Sequence, residues 1–442
     1  MYPEAAKGNH DKLKHIGHNG NKMQSTSQSG PGKSRPRRLL LCLDGVPHKL
    51  ILAAKQRGLF AAFGSPSRLL SPFPTMTNVA LSTMLGATPP AGYESLYFDR
   101  SARELRGGIR KYLGWRTPEK IPSSYMDDLD YQEPLAFEFL IYVAPERVWR
   151  TDMRRFHESF RAAPQTRDYF AFLKATDGLL HAQGPERLNV ALATLDRILN
   201  EIREFCGRET EIVLFSDHGM NLEENQRVDL VPHLRRKNFK VTSRLTNGRR
   251  TLSIPAFGLC SYAAVYCADE ELIPEAADAL IELPGVDFVV FRDEAGAVLK
   301  SARGDARIER DEPDSYRYLT SIGDPLELQP AIQILKKEGK VDDRGFVARA
   351  DWFDKTSHGS YPNAVANIYS SLHTPRVKHT ADILISLHDG YYFGWSPFGK
   401  IVRLAATHGN ALASSSTAFM MSTHRQLPEC VLGDGAKKWL LG

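Results

Sequence analysis

Two Asp/His pairs stand out because each follows an apolar run. Asp217 and His218 come directly after Glu211-Ile212-Val213-Leu214-Phe215-Ser216, and Asp177 stands four residues before His181, just beyond the aromatic run that begins at Tyr169. Asp with His supplies oxygen and nitrogen donors of the kind that zinc and related ions accept. Asp44 closes a third apolar run, and His408 lies late in the chain within Thr407-His408-Gly409-Asn410. The set suits two divalent ions with positions left open for water and substrate. Two such ions about 4 Å apart stabilise both the attacking and the leaving oxygen of an in-line displacement at phosphorus. Thr77-Asn78 follows a Pro-rich stretch and opens a helical pattern. A hydroxyl there is placed to act as nucleophile, and the N–H groups of a helix start attract an anionic phosphoryl group.

The elements that must position these residues alternate. Leu39–Leu43 reads as a buried strand ending at Asp44-Gly45, and Asn78–Gly86 as a short helix stopped by glycine. Residues 100–165 read as basic amphipathic helices and loops, clearest over Glu146–Phe160. Tyr169–Thr176 and Glu211–Ser216 read as buried strands flanking a helix over Pro185–Phe205. This alternation predicts an α/β fold with a mainly parallel, doubly wound sheet, whose strand ends expose one crevice. Texture changes over residues 221–345, an expected inserted α+β cap with strands Ser261–Cys267 and Val286–Phe291 around a helix Glu270–Leu283 and shorter strands beyond. Core texture returns with Ala381–Leu387. The expected organisation is a tail over 1–37, a core over 38–220 and 346–442, and the cap between them.

Composition bounds the reading. The chain has 442 residues, 42% hydrophobic and 25% charged, as ordinary globular proteins do. No run of about 18 apolar residues exists, so no membrane span is expected. The net charge of +5 is deceptive: residues 1–38 carry eight Lys/Arg against two acids, and the remaining 404 residues sum to −1. No nucleic-acid partner is required. Residues 1–36 are too polar to order themselves, and their three histidines (His10, His15, His18) read as part of a solvated linker. Five scattered cysteines without a CxxC pair argue against a disulfide framework. With no export signal, a cytoplasmic location is expected; the oligomeric state is not readable.

Taken singly, each motif has a plainer reading. Asp44-Gly45 is a common turn, Asp177 and His181 are spaced like a helix-surface pair, and Thr77 is a natural N-cap. Thr75 competes with Thr77 as nucleophile, and His358 with His408 as ligand. Thr77 is preferred because Thr75 stands in the loop before the helix; His408 is preferred for its place before the apolar run Ala418–Met421. Arg100, Arg103 and Arg106 read mainly as solvated positions. The joint occurrence of the motifs is what favours a metal site.

Five segments in order, Leu41–Val46, Phe73–Asn78, Thr176–His181, Ser216–Met220 and Thr407–Gly409, resemble the motifs of the alkaline phosphatase superfamily. The similarity is to its type I phosphodiesterase/nucleotide pyrophosphatase-like branch, which also includes phosphonoacetate hydrolases. It covers roughly residues 38–220 and 345–425. The resemblance implies an α/β/α sandwich and a phosphoric ester hydrolase acting on a small phosphorylated substrate. It implies two divalent metal ions, Zn2+ or alternatively Mn2+. One would be held by Asp177, His181 and His408, the other by Asp44, Asp217 and His218 with Thr77 bridging to it as nucleophile. The reaction would pass through a phosphothreonine. Asn78 stands where many members carry an aromatic residue, and Tyr93–Arg100 lacks the family's phosphate-binding asparagine; Asn78 is the substitute donor. The sulfatase Cys-x-Pro-x-Arg and the phosphoglycerate mutase Asn-Ser motifs are absent. A phosphonate hydrolase or phosphomonoesterase remains the alternative activity, and a catalytically silent binding protein the alternative of another class.

Overall fold

Leu39–Leu43 has no polar side chain and is buried along its whole length, as a strand covered on both faces must be. In the computed structural model, which describes residues 37–108, 118–133, 140–294, 296–394 and 403–442, it lies inside a seven-stranded sheet. The order across the sheet is Cys430–Leu432, Ser67–Leu70, Thr417–Ser422, Ile212–Phe215, Leu39–Leu43, Tyr169–Leu173 and Tyr131–Gln132. Thr417–Ser422 runs antiparallel to both neighbours, and the other pairings are parallel. The central register decides the site. Leu43 pairs with Leu173 and Cys42 with Phe215, so three parallel strands stop side by side. Asp44, the Ala175 helix start and Asp217 therefore emerge at one edge.

Alternation along the central strand builds the layers. Leu39, Leu41 and Leu43 pack with Ile51 of helix His48–Gln56, Phe156 of helix Pro145–Ala162 and Leu188 of helix Ala175–Cys206. Leu40 and Cys42 point the other way, against Leu81 and Met84 of helix Thr77–Leu85. The result is the expected helix–sheet–helix sandwich with a mainly parallel central sheet.

The helix expected from Pro185 is longer, Ala175–Cys206, but its backbone breaks at Gly184 (φ 73°, ψ −169°) just before that proline. Gly184 and Pro185 thus separate the short segment carrying Asp177 and His181 from the long amphipathic one.

A second sheet of nine strands is antiparallel except at one edge, where Lys240–Val241 and Thr251–Ser253 run parallel. It contains Tyr262–Cys267, Val286–Arg292, Ala297–Ser301, Gly304–Asp311 and Ser315–Gly323. Ile383–Leu387 also belongs to it, inserted between Val286–Arg292 and Tyr262–Cys267, and not to the parallel sheet as its core texture suggested. A five-residue run buried on both faces has the same pattern in either sheet; only non-local pairing distinguishes them. Within 100–165, read as helices and loops, Glu104–Gly107 is instead a strand paired with Leu96–Asp99 as a hairpin. Residues 109–117 and 134–139 of that stretch, and the polar tail 1–36, lie outside the described residues. No helix among the described residues is long and apolar enough to cross a membrane.

Candidate metal centre

Asp44 leaves the central strand and turns at Gly45, whose φ of +70° suits glycine. A Cβ at Gly45 would stand 3.0 Å from Asp177 Oδ1 and 3.4 Å from the His218 ring, so the missing side chain is what lets the three meet. The neighbouring turn is equally tight: a Cβ on Gly219 would lie 2.4 Å from Ser414 O. Backbone ties fix the carboxylates. Gly45 N donates to Asp217 Oδ1 (3.2 Å), Val46 N to Ser216 Oγ (2.8 Å), and Thr176 Oγ1 to Asp44 O (2.7 Å).

Six of the predicted residues converge. His218 Nε2 lies 3.4 Å from both Asp44 Oδ1 and Asp217 Oδ2. Asp177 Oδ1 lies 3.2 Å from His181 Nε2 and 3.5 Å from His408 Nε2. The two groups adjoin, since the His218 and His408 rings stack at 3.9 Å. Asp44, Asp217 and His218 form one group whose donor atoms all lie within 4.8 Å, and Asp177, His218 and His408 form another. His181 reaches the cluster through Asp177. All six are buried.

The imidazoles are held from behind. His181 Nδ1 meets Ala406 O (2.8 Å), His218 Nδ1 meets Gly219 O (2.9 Å), and His408 Nδ1 meets Thr75 O (2.8 Å). A carbonyl oxygen only accepts, so each Nδ1 carries the proton. Burial, then His408, pushes the His218 imidazole far down, and burial holds His408 at about 4. Both are therefore neutral, and their Nε2 lone pairs face carboxylate oxygens. Burial, then Asp217 and Asp177, pushes Asp44 well above the carboxylate range; burial raises Asp217 to about 7. For Asp177 burial is opposed by His181, His408 and His218, which together hold it low, and His181 is raised by the same partnership. Asp217 Oδ2 is buried with no hydrogen-bond partner. Acceptors pointing at acceptors in a buried space are costly unless cations lie between them, so the donor set fits metal ions.

Thr77 is the first helical residue, and the N-cap is Met76, which contributes no capping side chain. The expected capping role for Thr77 is therefore absent. Its Oγ1 instead lies 3.3 Å from both Asp44 Oδ1 and His218 Nε2. The rival Thr75 is fully buried; its hydroxyl donates to Asn410 O (3.2 Å) and accepts from Gly409 N (2.9 Å). Thr75 thus ties down the segment bearing His408, a role invisible in sequence because its partners lie more than 300 residues away. Asn78 Oδ1 accepts from Tyr125 Oη (2.9 Å), which leaves its amide N–H groups as the donors it can offer. His358 is exposed and meets Glu429 at 3.5 Å, apart from the cluster. Arg100 pairs with Asp382 and Arg106 with Asp99, while Arg103 donates to Ala268 O.

A profile of the type I phosphodiesterase / nucleotide pyrophosphatase family matches residues 100–409. The chain belongs to this family. It is accordingly a phosphoric ester hydrolase, and five of the clustered residues, Asp177, His181, Asp217, His218 and His408, lie within the matched span. Asp44 and Thr77 precede it; Asp44 joins the cluster at the end of the central strand and Thr77 at the start of its helix. Among solved structures, phosphonoacetate hydrolase from Sinorhizobium meliloti 1021, in complex with phosphonoformate, is 14% identical, with a TM-score of 0.49 over 92% of this chain and 95% of that one. Murine ectonucleotide pyrophosphatase/phosphodiesterase 5 is 12% identical, with a TM-score of 0.48 over 91% and 94%. No curated protein matches the chain.

Proposed function

We propose that this member of the family hydrolyses phosphate esters, phosphodiester or pyrophosphate bonds, through a phosphothreonine on Thr77 at a site holding two divalent cations, most simply zinc. The observation that carries the reading is the Thr77 hydroxyl, 3.3 Å from a carboxylate and an imidazole of the cluster, at the start of a helix with no capping side chain. Asp44, Asp217 and His218 would hold one cation, and Asp177, His181 and His408 the other. Bound there, the ions would supply Lewis-acid stabilisation of charge on the phosphoryl oxygens.

The chain's own residues account for the remaining work. The Thr77 hydroxyl donates toward Asp44 Oδ1, which is placed to receive its proton as the oxygen attacks phosphorus. First-turn N–H groups of the Thr77–Leu85 helix and the Asn78 amide face the phosphoryl oxygens. The ester oxygen departs with the organic group, and water then cleaves the Thr77 ester, restoring the hydroxyl. In this reading residues 38–220 and 346–442 carry the chemistry, and 221–345 help to decide which ester is admitted.

Acid quenching during turnover of bis-p-nitrophenyl phosphate, followed by peptide mapping, tests the intermediate. Phosphate on the Thr77 peptide, together with two divalent ions per chain by elemental analysis, is expected. Phosphate elsewhere or nowhere, in a metal-loaded protein that turns over, overturns the mechanism. Asn78 in place of an aromatic residue favours a second reading, a phosphonate or monoester substrate, because no ring follows Thr77 to stack a base. A panel of monoester, diester, nucleotide and phosphonate substrates separates the two.

A further inference from the structure

A cavity of about 490 Å3 opens beside the far end of the Thr77–Leu85 helix, and none of the clustered carboxylates or imidazoles lines it. Its wall includes Arg310, Arg349, Arg376, Asp434, Tyr316 and Tyr369. The volume is that of a small-molecule site. The charges do not cancel. Arg349 takes both acids of the wall, pairing with Asp434 and lying 3.8 Å from Asp314. Arg310 is exposed; its Nη2 donates to Pro313 O (3.2 Å), and the one carboxylate within 4 Å of it among the described residues is Glu312, at 3.9 Å. No carboxylate among the described residues lies within ion-pair distance of Arg376. Its Nη1 donates to Phe73 O (2.5 Å) and Asn367 Oδ1 (2.8 Å), while Nε and Nη2 have no acceptor among the described residues. Burial pulls this half-buried guanidinium down to about 10, a loss that the more distant Asp434 only partly offsets.

With Arg349 matched to the two acids, Arg376 and Arg310 are left facing one space, and such guanidinium groups favour an oxyanion because their planar forks match phosphate oxygens pairwise. The cavity exceeds a bare phosphate, and the rings of Tyr316 and Tyr369, edge to face at 5.7 Å, offer an apolar wall for an organic group. We propose that this cavity is a second, non-catalytic binding site for a small phosphate-bearing molecule whose oxyanion rests on Arg376 and Arg310.

The site communicates with the nucleophile loop. Asn367 accepts from Phe73 N (2.8 Å) and donates to Ser71 O (3.1 Å), and Arg376 bonds both Asn367 and Phe73 O. An anion drawn to the outer nitrogens of Arg376 therefore pulls on the clamp holding residues 71–73, a few residues before Thr77.

The test pairs titration calorimetry of the full-length, metal-loaded protein, using 5′-AMP as probe, with the crystal structure of the same complex. Expected is a binding step that weakens about tenfold or more in Arg310→Gln and in Arg376→Met, with the AMP phosphate seated against Arg376 and Arg310. If Arg376→Met does not fold, the exposed Arg310→Gln still decides. Isotherms insensitive to Arg310→Gln, or AMP seen only at the carboxylate–imidazole cluster, overturn the proposal. AMP in the cavity without arginine-sensitive binding in solution is binding at crystal concentration only and overturns it equally. Neither arm reads hydrolysis, so the outcome is independent of the mechanism at Thr77.

Discussion

The two sheets bury carboxylates for opposite ends. In the nine-stranded sheet, Asp287 is fully enclosed and fully partnered: Arg303 Nη2 lies at 2.5 Å, Tyr361 Oη donates at 2.8 Å, and Ser386 Oγ donates at 3.4 Å. In the seven-stranded sheet, Asp217 is just as enclosed, yet its Oδ2 has no hydrogen-bond partner and faces an imidazole lone pair. The first is a closed structural pair, the second a carboxylate with an oxygen left open. Sheet direction explains the difference. Parallel strands end on one side, so their side chains gather at a single edge; antiparallel strands alternate their ends and brace instead. The segment leading into strand Tyr262–Cys267 of the second sheet braces His408: Ser261 N donates to His408 O (2.7 Å), and Thr407 Oγ1 donates to Leu259 O (2.6 Å).

The contrast breaks most visibly at Thr77. Thr77→Ala is expected to lower turnover of bis-p-nitrophenyl phosphate by about 10³-fold or more with little change in melting temperature, since Thr77 is only partly buried. Activity retained within tenfold means the nucleophile is another group. Asp217→Asn comes next. It keeps the shape but removes a charge, and loss of about one ion per chain is expected by elemental analysis. Activity should fall at least about 10²-fold, because even outer-shell changes cost 10–100-fold in metal affinity or activity. Unchanged metal content would remove Asp217 from the ligand set.

On the other sheet the same kind of change should act on stability instead. Asp287→Ala takes the carboxylate from Arg303, which keeps Pro325 O, and from the buried Tyr361 hydroxyl, and loss of such a charged hydrogen-bond partner costs about 1–3 kcal/mol. A melting temperature lowered by several degrees is expected, with turnover per folded molecule nearly unchanged. Equal losses in both measurements would mean that the two sheets are not functionally separate.

What was readable in the sequence follows the same division. The strands Leu39–Leu43 and Ile212–Phe215 and the residues just beyond them could be read because an unbroken apolar run followed by a carboxylate has few alternatives. Ile383–Leu387 was misassigned because local pattern carries no information on which sheet accepts a strand. Thr75 as the anchor of His408, and Tyr125 as the partner of Asn78, were unreadable, being contacts between distant segments made through backbone or one hydroxyl. The Arg376 clamp on Phe73 was missed for the same reason.

The smallest expected effect lies at the edge of the parallel sheet. Glu133 follows strand Tyr131–Gln132, is 7% exposed, and its Oε1 has no hydrogen-bond partner. Burial, then the nearby Asp152, raises it to about 8, against weaker opposition from Lys174 and Arg155. Asp152 is itself raised to about 7 by burial, while the Tyr131 hydroxyl donates to it at 2.6 Å. A carboxyl raised on folding binds its proton more tightly in the folded chain. Its stabilising contribution is complete below the ordinary value near 4.5 and is lost as pH rises through about 8. Glu133→Gln stays neutral throughout, so its melting temperature should match the parent near pH 5 and exceed it by about 2 °C or more at pH 9. Parallel curves from pH 5 to 9 would mean that Glu133 is ionised throughout, and that this unpartnered carboxylate, unlike those at the candidate metal centre, is tolerated without proton or cation.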